Sequence, residues 1–537
     1  MANPRASRER PDAGVAVPTE TELKLRITPE AATTLARHPA LKPLKRGPAR
    51  KAHLLSTYYD TDDGALAAAG IALRVRRDGR RWVQTIKGPA EVGSAGGMSA
   101  RAEFEWPVTG PNPDPLRFAT TPFRRALGKA EKRGIRPRFT TDVTRTATPL
   151  TFPDSTMAVL CIDVGEVRTE DGLPVLRDPI HEIELELEAG NVARLFELAH
   201  TLAASVPLAF EPASKAERGH ALRHPHAAAP LHASDADLPG KARAGDAFAA
   251  IIRACLAQIE GNAHGVRTDD DPEWIHQMRI GVRRLRACLS LARKAMAAAR
   301  IEPLRVELRW LAQALGTARD LDVFATSTLP AVRDAVAQGG NAAVLEPSLA
   351  KLAARTTVWR KDARSIAQAA VVSPRFVRLV LAAAALAAAP GAYAERSHAH
   401  QHKLSSPARD FARPLLKRRH RALVALGNDL AHAAPEARHA ARLAAKKLRY
   451  ATEFFAPLFP KKRTRSYRKA LAALQEELGA WNDAAVAVRL AGELAGPQSP
   501  AAAAFSGWAA ARSAARSEAL ATVWTRFTKT RPFWPRN

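Results

Sequence analysis

Residues 19–27 read TETELKLRI, a stretch in which charged and apolar residues alternate. Side chains two residues apart lie on the same face of a β-strand. The stretch therefore predicts a strand with Glu20, Glu22 and Lys24 on one face and apolar residues on the other. Strands of this kind form antiparallel sheets that have one apolar and one charged face.

The same alternation continues to about residue 210, with Gly, Pro and Asp between the segments. It recurs in IALRVRR (71–77), RWVQTIK (81–87), RAEFEW (101–106) and HEIELELE (181–188). A helical stretch follows at 192–204. We predict an antiparallel sheet or barrel over this part of the chain.

The charged faces of these strands indicate which kinds of ligand the sheet could bind. A single charged face is often only solvated. Four glutamates on one strand, however, repel one another unless cations lie between them. These glutamates are Glu182, Glu184, Glu186 and Glu188. Strands with aligned arginines need anions for the same reason. A barrel with these faces inward would offer hard oxygen ligands for Mg²⁺ or Mn²⁺ beside guanidinium groups for phosphate.

Glu20-Thr-Glu22-Leu-Lys24 resembles the ExExK signature of the CYTH family, the triphosphate tunnel metalloenzymes. Seven further motifs follow in the family's order over residues 18–220. They are YYDTDDGALAAAGIALRVRR (58–77), the strand 82–87, RAEFE (101–105), the strand that ends at Arg145, DVG (163–165), EIELEL (182–187) and SKAERG (214–219). The resemblance implies a closed eight-stranded antiparallel tunnel that acts on substrates with a triphosphate.

The resemblance also implies roles for individual residues. The residues expected to hold metal are Glu20, Glu22, Asp163, Glu184 and Glu186. The residues expected to bind phosphate are Lys24, Arg74, Arg76, Lys87 and Arg145, and the catalytic set is Glu20, Glu22 and Lys24. The residues that point to the same side, as ligands or as neighbours of the ligands, are Arg101, Glu103, Glu105 and Glu182. Lys215 and Arg218 are expected to position the C-terminal segment of the barrel.

We expect metal-assisted phosphoryl transfer with Mg²⁺ or Mn²⁺, in which one ion bridges phosphate oxygens and a second orients the attacking water. Hydrolysis of inorganic triphosphate is favoured over cyclic-nucleotide formation because no stretch of the tunnel region is obviously suited to a purine. Two alternatives stay open. One is a polyphosphate-binding protein without turnover, and the other is a nucleotide enzyme such as an adenylate cyclase or an RNA triphosphatase.

The rest of the chain differs in charge. Residues 1–220 hold 32 basic and 28 acidic side chains, whereas residues 221–537 hold 49 and 25 and supply most of the net charge of +28. This excess indicates polyanionic partners. We expect a disordered basic leader at 1–17, a linker at 221–242 and an all-helical domain at 243–525, where apolar residues recur with a period of 3.6. The predicted fold class is multidomain α+β.

The helical domain repeats itself at an offset of 163 residues. The matching pairs are HQMRIGVRRLR (276–286) with HAARLAAKKLR (439–449), LGTARD (315–320) with LGAWND (478–483), and Phe248 with Phe411. We predict a duplicated helical bundle with repeats at about 246–325 and 409–490.

Each repeat carries a line of cations on one helix, because positions i, i+3, i+7 and i+10 share a stripe. The two lines consist of His276, Arg279, Arg283 and Arg286, and of His439, Arg442, Lys446 and Arg449. One such line is as often a solvated face as a binding site. The duplication favours binding, and a groove between the two lines would suit a long polyphosphate.

Nucleic acid is the competing polyanion, but Ala, Leu, Ile and Val rather than aromatic residues stand between the cations, so we do not expect it as a partner. HQMRIGVRRLR, LGTARDLDVF, KKLRYATEFF and LQEELGAWNDAAVA also resemble the CHAD domain, a helical module associated with inorganic polyphosphate, over about 240–525. The resemblance implies inorganic triphosphate, polyphosphate and polyphosphate granules as partners. Two departures are Asn482, where the first repeat has Arg319, and the connection 346–407, whose role the sequence does not assign.

Three cysteines without CxxC spacing indicate neither a disulfide framework nor a zinc cluster. The N-terminus has no signal-peptide run, and the apolar run 379–389 is too short to span a bilayer. We therefore expect a cytoplasmic protein without a membrane partner. The histidines of HAHQH (398–402) stand between Gly/Ala and Ser/Pro segments, which favours a loop over a metal site.

Overall fold

A computed structural model describes residues 18–90, 95–169, 174–223, 229–388, 398–427, 430 and 432–535. The predicted leader at 1–17 lies outside the described residues. The chain divides into two compact units, 1–228 and 229–537. We call them the strand unit and the helical unit and describe each by itself.

The strand unit is built on one antiparallel sheet. Its described strands are β1 (Thr19–Ile27), β2 (Arg50–Asp60), β3 (Ala72–Asp78), β4 (Arg81–Ala90), β5 (Met98–Val108), β6 (Arg136–Thr151), β7 (Met157–Thr169), β8 (Arg177–Ala189) and β9 (Leu208–Phe210). They follow the order β5-β4-β3-β2-β6-β7-β8-β1-β9, and β1 pairs with β5 as well as with β8. The first eight strands therefore close into a barrel.

The predicted fold class, an eight-stranded barrel followed by an all-helical domain, is confirmed. The short ninth strand was not expected. β9 pairs with the end of β1, where Leu25 lies opposite Phe210, beyond the part of β1 that pairs with β5. The strand β1 thus pairs with three strands: β5 and β8, with which it closes the barrel, and the additional strand β9.

Five helices accompany the barrel. They are α1 (Pro29–Thr34), α2 (Ala65–Ala68), α3 (Arg124–Arg133), α4 (Ala193–Leu202) and α5 (Lys215–Arg223). α2 and α3 cover part of the outer face, where Leu66 and Leu127 join a buried cluster with Leu73, Val75 and Ile86. Burial of this apolar side leaves the alternate, charged residues to face the inside of the barrel.

The helix α5 fills one end of the barrel. Ala216 and Leu222 pack against a buried cluster that includes Phe139, Val143 and Ile180. A Cβ atom added to Gly219 would lie 2.2 Å from the Phe139 ring, so the helix backbone is in close contact with this ring. The barrel interior is therefore apolar at this end and polar beyond it.

The helical unit contains twelve described helices. They are α6 (Ala244–Thr268), α7 (Pro272–Ala292), α8 (Ala298–Val323), α9 (Leu329–Gln338), α10 (Ala342–Val372), α11 (Pro374–Ala388), α12 (His398–Ser405), α13 (Ala408–Val424), α14 (Pro435–Phe455), α15 (Lys461–Ala495), α16 (Pro500–Ala515) and α17 (Ser517–Lys529). A π-helical segment, Phe324–Thr328, joins α8 to α9.

The sequence repeat is visible in the helices. α7 and α14 begin at Pro272 and Pro435, and α8 and α15 begin at Ala298 and Lys461, both pairs 163 residues apart. The matching residues Phe248 and Phe411 contact each other, with ring centroids 5.4 Å apart. Equivalent positions of the two repeats thus meet at a shared core.

One stretch differs from expectation. The HAHQH segment begins α12 and is not a loop, and its helix buries Leu404. The connection 346–407, whose role the sequence does not assign, runs through α10, α11 and α12 where it is described. The predicted linker 221–242 is bound to α6 where it is described: the Leu231 N–H donates to Asn262 Oδ1 at 3.0 Å, and Asn262 Nδ2 donates back to the Leu231 carbonyl at 2.9 Å.

No helix in the described ranges is by itself long and apolar enough to cross a membrane. The pair α10 and α11, bent by 54° at their junction, meets the length and composition requirement only when the two are taken together.

Candidate functional site

The barrel encloses a cavity of about 320 Å³. Its wall carries seven acidic and seven basic side chains. The acidic ones are Glu20, Glu22, Glu103, Glu105, Asp163, Glu184 and Glu186, and the basic ones are Lys24, Arg74, Arg76, Lys87, Arg101, Arg145 and Lys215. The structure thus brings together every cavity residue named from the sequence except Glu182, which lies fully buried beside this wall.

Glu20, Glu22 and Glu186 form one carboxylate group, which we call the outer group. One oxygen of each lies within 4.8 Å of the others. The register of the barrel produces this arrangement, because Glu22 on β1 lies opposite Glu186 on β8. The Lys87 ammonium pairs with Glu20, and Arg101 Nη2 lies 3.4 Å from Glu22 Oε1.

The carboxylates of the outer group are held close together in a buried place. Burial and the neighbouring Glu184 raise the pKa of Glu22 above its usual value. Burial also raises the pKa of Glu186, although Arg145 opposes this change. A cation among these oxygens would relieve both effects. The donors are all carboxylate oxygens, which Mg²⁺ and Mn²⁺ prefer.

Asp163, Glu182 and Glu184 form a second carboxylate group, which we call the inner group. Asp163 on β7 lies opposite Glu182 on β8. Lys215 Nζ lies 2.8 Å from Asp163 Oδ2 and 2.7 Å from Glu184 Oε1. Arg145 donates to both oxygens of Asp163 at 2.8 Å. This group therefore has cations of the protein within it.

The titration of the inner group reflects these contacts. Burial raises the pKa of Glu182 despite the nearby Lys215 ammonium. Burial disfavours ionisation of Glu184 as well, but Lys215 and Arg145 outweigh it and hold the pKa of Glu184 well below its usual value. Glu184 is therefore ionised at neutral pH in the folded protein.

The opposite wall of the cavity is cationic. Arg74 Nη2 lies 3.5 Å from Glu103 Oε1, and Arg76 Nη2 lies 3.5 Å from Glu105 Oε1. The Nε atoms of both arginines are buried and find no hydrogen-bond partner among the described residues. Burial and the Arg74 charge lower the pKa of Arg76. These guanidinium groups are short of acceptors, so they are suited to an added anion.

Lys24 lies in the cavity wall but is directed to the backbone. Its Nζ donates to the carbonyl of Ala213, just before α5. Lys87, by contrast, reaches the centre of the wall, where its Nζ lies 3.2 Å from Glu103 Oε1 in addition to its pair with Glu20. Of these two predicted phosphate ligands, Lys87 is the one placed among the other charged groups.

In the helical unit the two cation lines lie on α7 and α14, and their centres are near each other. Burial, Arg442 and Arg283 lower the pKa of Lys446 to about 8, which places the Arg283 charge of the first line near Lys446 of the second. Burial and Arg319 lower the pKa of His276 to about 4, so this histidine is uncharged at neutral pH.

The members of the lines differ in their partners. Arg279 Nη1 donates to Asp320 Oδ1 at 2.7 Å and to the Gly316 carbonyl at 3.0 Å. Arg449 pairs with Glu453, with 2.6 Å between Nε and Oε1. Acidic partners therefore neutralise part of each line. His439 and Arg286 are exposed.

Comparison with known families decides the assignment of both units. Residues 18–220 match the CYTH domain family, and residues 250–492 match the CHAD domain family. The chain joins a CYTH domain to a CHAD domain. The family resemblance predicted from ExExK and from the paired histidine motifs is thus confirmed.

Individual relatives match part of this chain. The inorganic triphosphatase of Haemophilus influenzae is 32% identical over 206 residues, which are 38% of this chain and 54% of that protein. The chain therefore matches about half the length of this curated relative. The CHAD domain from the plant Ricinus communis is 34% identical, covers 58% of this chain and 100% of its own, and has a TM-score of 0.49. PptA from Streptomyces chartreusis is 20% identical, covers 53% and 100%, and has a TM-score of 0.38.

Lys215 was expected only to position the C-terminal segment of the barrel, but in the CYTH domain it lies among the carboxylates of the inner group. The signal was the SKAERG motif, whose lysine begins α5. Arg284 follows Arg283 directly in the sequence, beside the first cation line of the CHAD domain, but its side chain is buried. It donates to Gln258 Oε1 at 3.1 Å and to the Ser234 carbonyl at 2.7 Å.

Proposed function

We propose that the CYTH domain is a metal-dependent hydrolase of inorganic triphosphate. The observation that carries this proposal is the barrel cavity, where a group of adjacent carboxylates faces arginines with unpartnered N–H donors. A divalent cation and a phosphate chain satisfy both sides of the cavity together. The support from relatives is the inorganic triphosphatase of Haemophilus influenzae, which is 32% identical to this chain over 206 residues.

Each wall of the cavity has a part in this proposal. Glu20, Glu22 and Glu186 would hold Mg²⁺ or Mn²⁺, which neutralises phosphate charge and acidifies water when bound. Arg74 and Arg76 would bind the terminal phosphate oxygens and stabilise the charge that develops on them during transfer.

The remaining cations of the cavity would change partners when metal and substrate bind. Lys87 and Arg101, which pair with Glu20 and Glu22, would be available to bind substrate oxygens if these carboxylates held a metal ion. No side-chain nucleophile is needed, because a water positioned between the carboxylates and the phosphorus can attack in line.

An inorganic substrate is favoured over a nucleotide. Among the described residues that line the cavity, Tyr58 is the one aromatic side chain. Its ring is stacked on Phe139, with centroids 4.6 Å apart, so that face is occupied. A nucleobase therefore has no free aromatic surface among these residues.

The test is phosphate release from tripolyphosphate and from ATP, with Mg²⁺ or Mn²⁺, by the full chain. We expect faster release from tripolyphosphate, and loss of turnover in Glu20→Gln. The matched control is Glu188→Gln, since Glu188 lies on the strand β8 but is exposed and pairs with Arg46 at 3.4 Å. Absence of metal-dependent release, or equal loss in both variants, would contradict the proposal.

For the CHAD domain we propose binding of inorganic polyphosphate between α7 and α14, where burial and the nearby Arg283 charge lower the pKa of both Arg442 and Lys446. The double variant Arg283→Glu, Lys446→Glu should lose polyphosphate binding at moderate salt. The control Lys351→Glu, Arg526→Glu makes the same charge change at exposed positions on α10 and α17. Equal affinity of the two double variants would reject this site.

A further inference from the structure

Lys215 contacts all three carboxylates of the inner group. Its Nζ lies 2.8 Å from Asp163 Oδ2 and 2.7 Å from Glu184 Oε1, and it also pairs with Glu182. The side chains of Asp163 and Glu182 are 1% and 0% exposed, and that of Lys215 is 12% exposed. An ammonium group therefore occupies the place among these oxygens that a metal ion would take.

The position of Lys215 is fixed by its helix. α5 begins at Lys215 and is capped just before it: Glu217 Oε2 accepts from the Ser214 N–H at 2.7 Å, and Ser214 Oγ accepts from the Glu217 N–H at 3.2 Å. Farther along, Gly219 packs against the Phe139 ring. The backbone from which Lys215 extends is therefore held at the barrel end.

The carboxylates of the inner group already have cationic partners. Besides Lys215, Arg145 binds Asp163 and Glu184, and Arg218 Nη1 lies 3.5 Å from Glu182 Oε2. Arg145 and Arg218 also bind carboxylates outside this group, Glu186 and Asp178. A divalent ion here would therefore chiefly have to displace Lys215, which would lose all three carboxylates that it contacts.

The outer group has a different arrangement. Its cations are Lys87 with Glu20, Arg101 with Glu22, and Arg145 with Glu186. Lys87 is shared with Glu103 at 3.2 Å, and Arg145 is shared with Asp163, so both keep a carboxylate partner when they leave this group. A metal ion that enters the outer group therefore takes one carboxylate partner from Arg101, whereas a metal ion in the inner group would take three from Lys215.

We propose that Lys215 takes the place of a second divalent cation, so that the cavity binds one metal ion, at the outer group, before substrate arrives. The inference rests on the proposed function for the metal-binding role of the outer group. It replaces the second ion expected from the sequence with an ammonium group of the protein. The inner group then acts as a support that orients Arg145 and Lys215 beside the substrate.

The experiment counts Mn²⁺ ions bound to the full chain without substrate, from the decrease of the free Mn²⁺ signal in electron paramagnetic resonance. The wild-type protein should bind one ion, and Lys215→Met should bind two, because its inner carboxylates have lost their ammonium. The control Lys51→Met removes an exposed lysine on β2 and should bind one. Two ions in the wild type, or one in Lys215→Met, would overturn the proposal.

A second pair of variants gives the answer even where Lys215→Met does not fold. Glu182→Gln changes only the inner group and should still bind one ion, whereas Glu20→Gln should bind none. A lower count in Glu182→Gln would show that metal enters the inner group and would overturn the proposal. The count needs no turnover, so a wild-type protein that binds one ion but releases no phosphate contradicts the proposed function alone.

Discussion

Arg145 binds Asp163 through two parallel hydrogen bonds, from Nε to Oδ1 and from Nη2 to Oδ2, each 2.8 Å long. Asp163 is almost wholly buried, and its side chain is 1% exposed. Two-point binding of this kind orients the guanidinium and leaves its Nη1 free to reach Glu186 at 2.8 Å. One arginine thus joins the inner group to the outer group.

This pair should contribute to the stability of the barrel. Arg145→Met leaves Asp163 buried without its main donor, and we expect a loss of about 3 kcal/mol, the size found when one partner of a buried ion pair is removed. The measurement is the urea midpoint of the CYTH domain, followed by the fluorescence of its tryptophans. The control Arg194→Met breaks a half-exposed pair with Asp154 and should cost less than about 1 kcal/mol. Similar midpoints for both variants would contradict the prediction.

Neighbouring arginines of β3 allow a sharp test of the cavity wall. Arg76 lines the cavity, whereas Arg77 points outward and lies 5.9 Å from the Trp82 ring. Arg76→Ala should lower kcat/KM for tripolyphosphate about 100-fold, as removal of one preorganised donor does in other enzymes. Arg77→Ala should stay within about twofold of the wild type, because it lacks access to substrate. An equal effect of the two changes would mean that the cavity is not where substrate binds.

Lys446 should make polyphosphate binding depend on pH. Burial and the nearby arginine charges lower its pKa to about 8 from an ordinary value of 10.5. A bound polyanion favours the charged form and raises this pKa again, so binding takes up a proton between about pH 8 and pH 10 and weakens as the pH rises. Calorimetry in buffers of different ionisation enthalpy measures this uptake.

The controls for that titration lie on the same helix. Lys446→Met should abolish the proton uptake, whereas Lys447→Met, at an exposed position, should retain it. The same shift predicts that the free CHAD domain becomes more stable as the pH rises from 8 toward 10, since the unfolded chain binds more protons there. If Lys446→Met took up as many protons on binding polyphosphate as the wild type, the uptake would have to come from another group.

The three cysteines should be unreactive in the folded protein. All are free and buried, and burial raises the pKa of the Cys255 thiol to about 12. Because the thiolate is the reactive form, we expect no reaction with a thiol reagent within minutes at pH 8 and three thiols after denaturation. Rapid reaction of Cys161 in the folded protein would show that the cavity wall opens, since its Sγ lies 3.6 Å from Glu186 Oε1.

The inward faces of the barrel strands could be predicted from the sequence because alternation is a local property. Glu20, Glu22 and Arg76 reach the cavity because alternate residues of a strand share a face, and the opposite face of these strands buries apolar residues such as Leu23 and Val75. The pairing of β1 with β5, which closes the barrel, depends on residues far apart in the chain and has no local signal. The ninth strand has only three residues and was missed for the same reason.

The residues that were misjudged depend on contacts between distant elements. Lys215 stands in a helix of nine residues, and no pattern within so short a helix indicates that it enters a barrel. Arg284 is next to Arg283 in sequence, but Gln258 of α6 provides a buried acceptor for Arg284 alone. The His398–Ser405 segment is helical because Leu404 is buried, a contact that its composition does not reveal.

The described residues that line the barrel cavity include equal numbers of acidic and basic side chains, which affects how substrate enters and products leave. An electroneutral lumen exerts little net pull on a bare polyanion, so a triphosphate would gain most by entering together with its own counterions. Cleavage then leaves two separate anions in the same confined volume. Their mutual repulsion would favour departure of the products, and the barrel would be ready for another substrate without any change of shape.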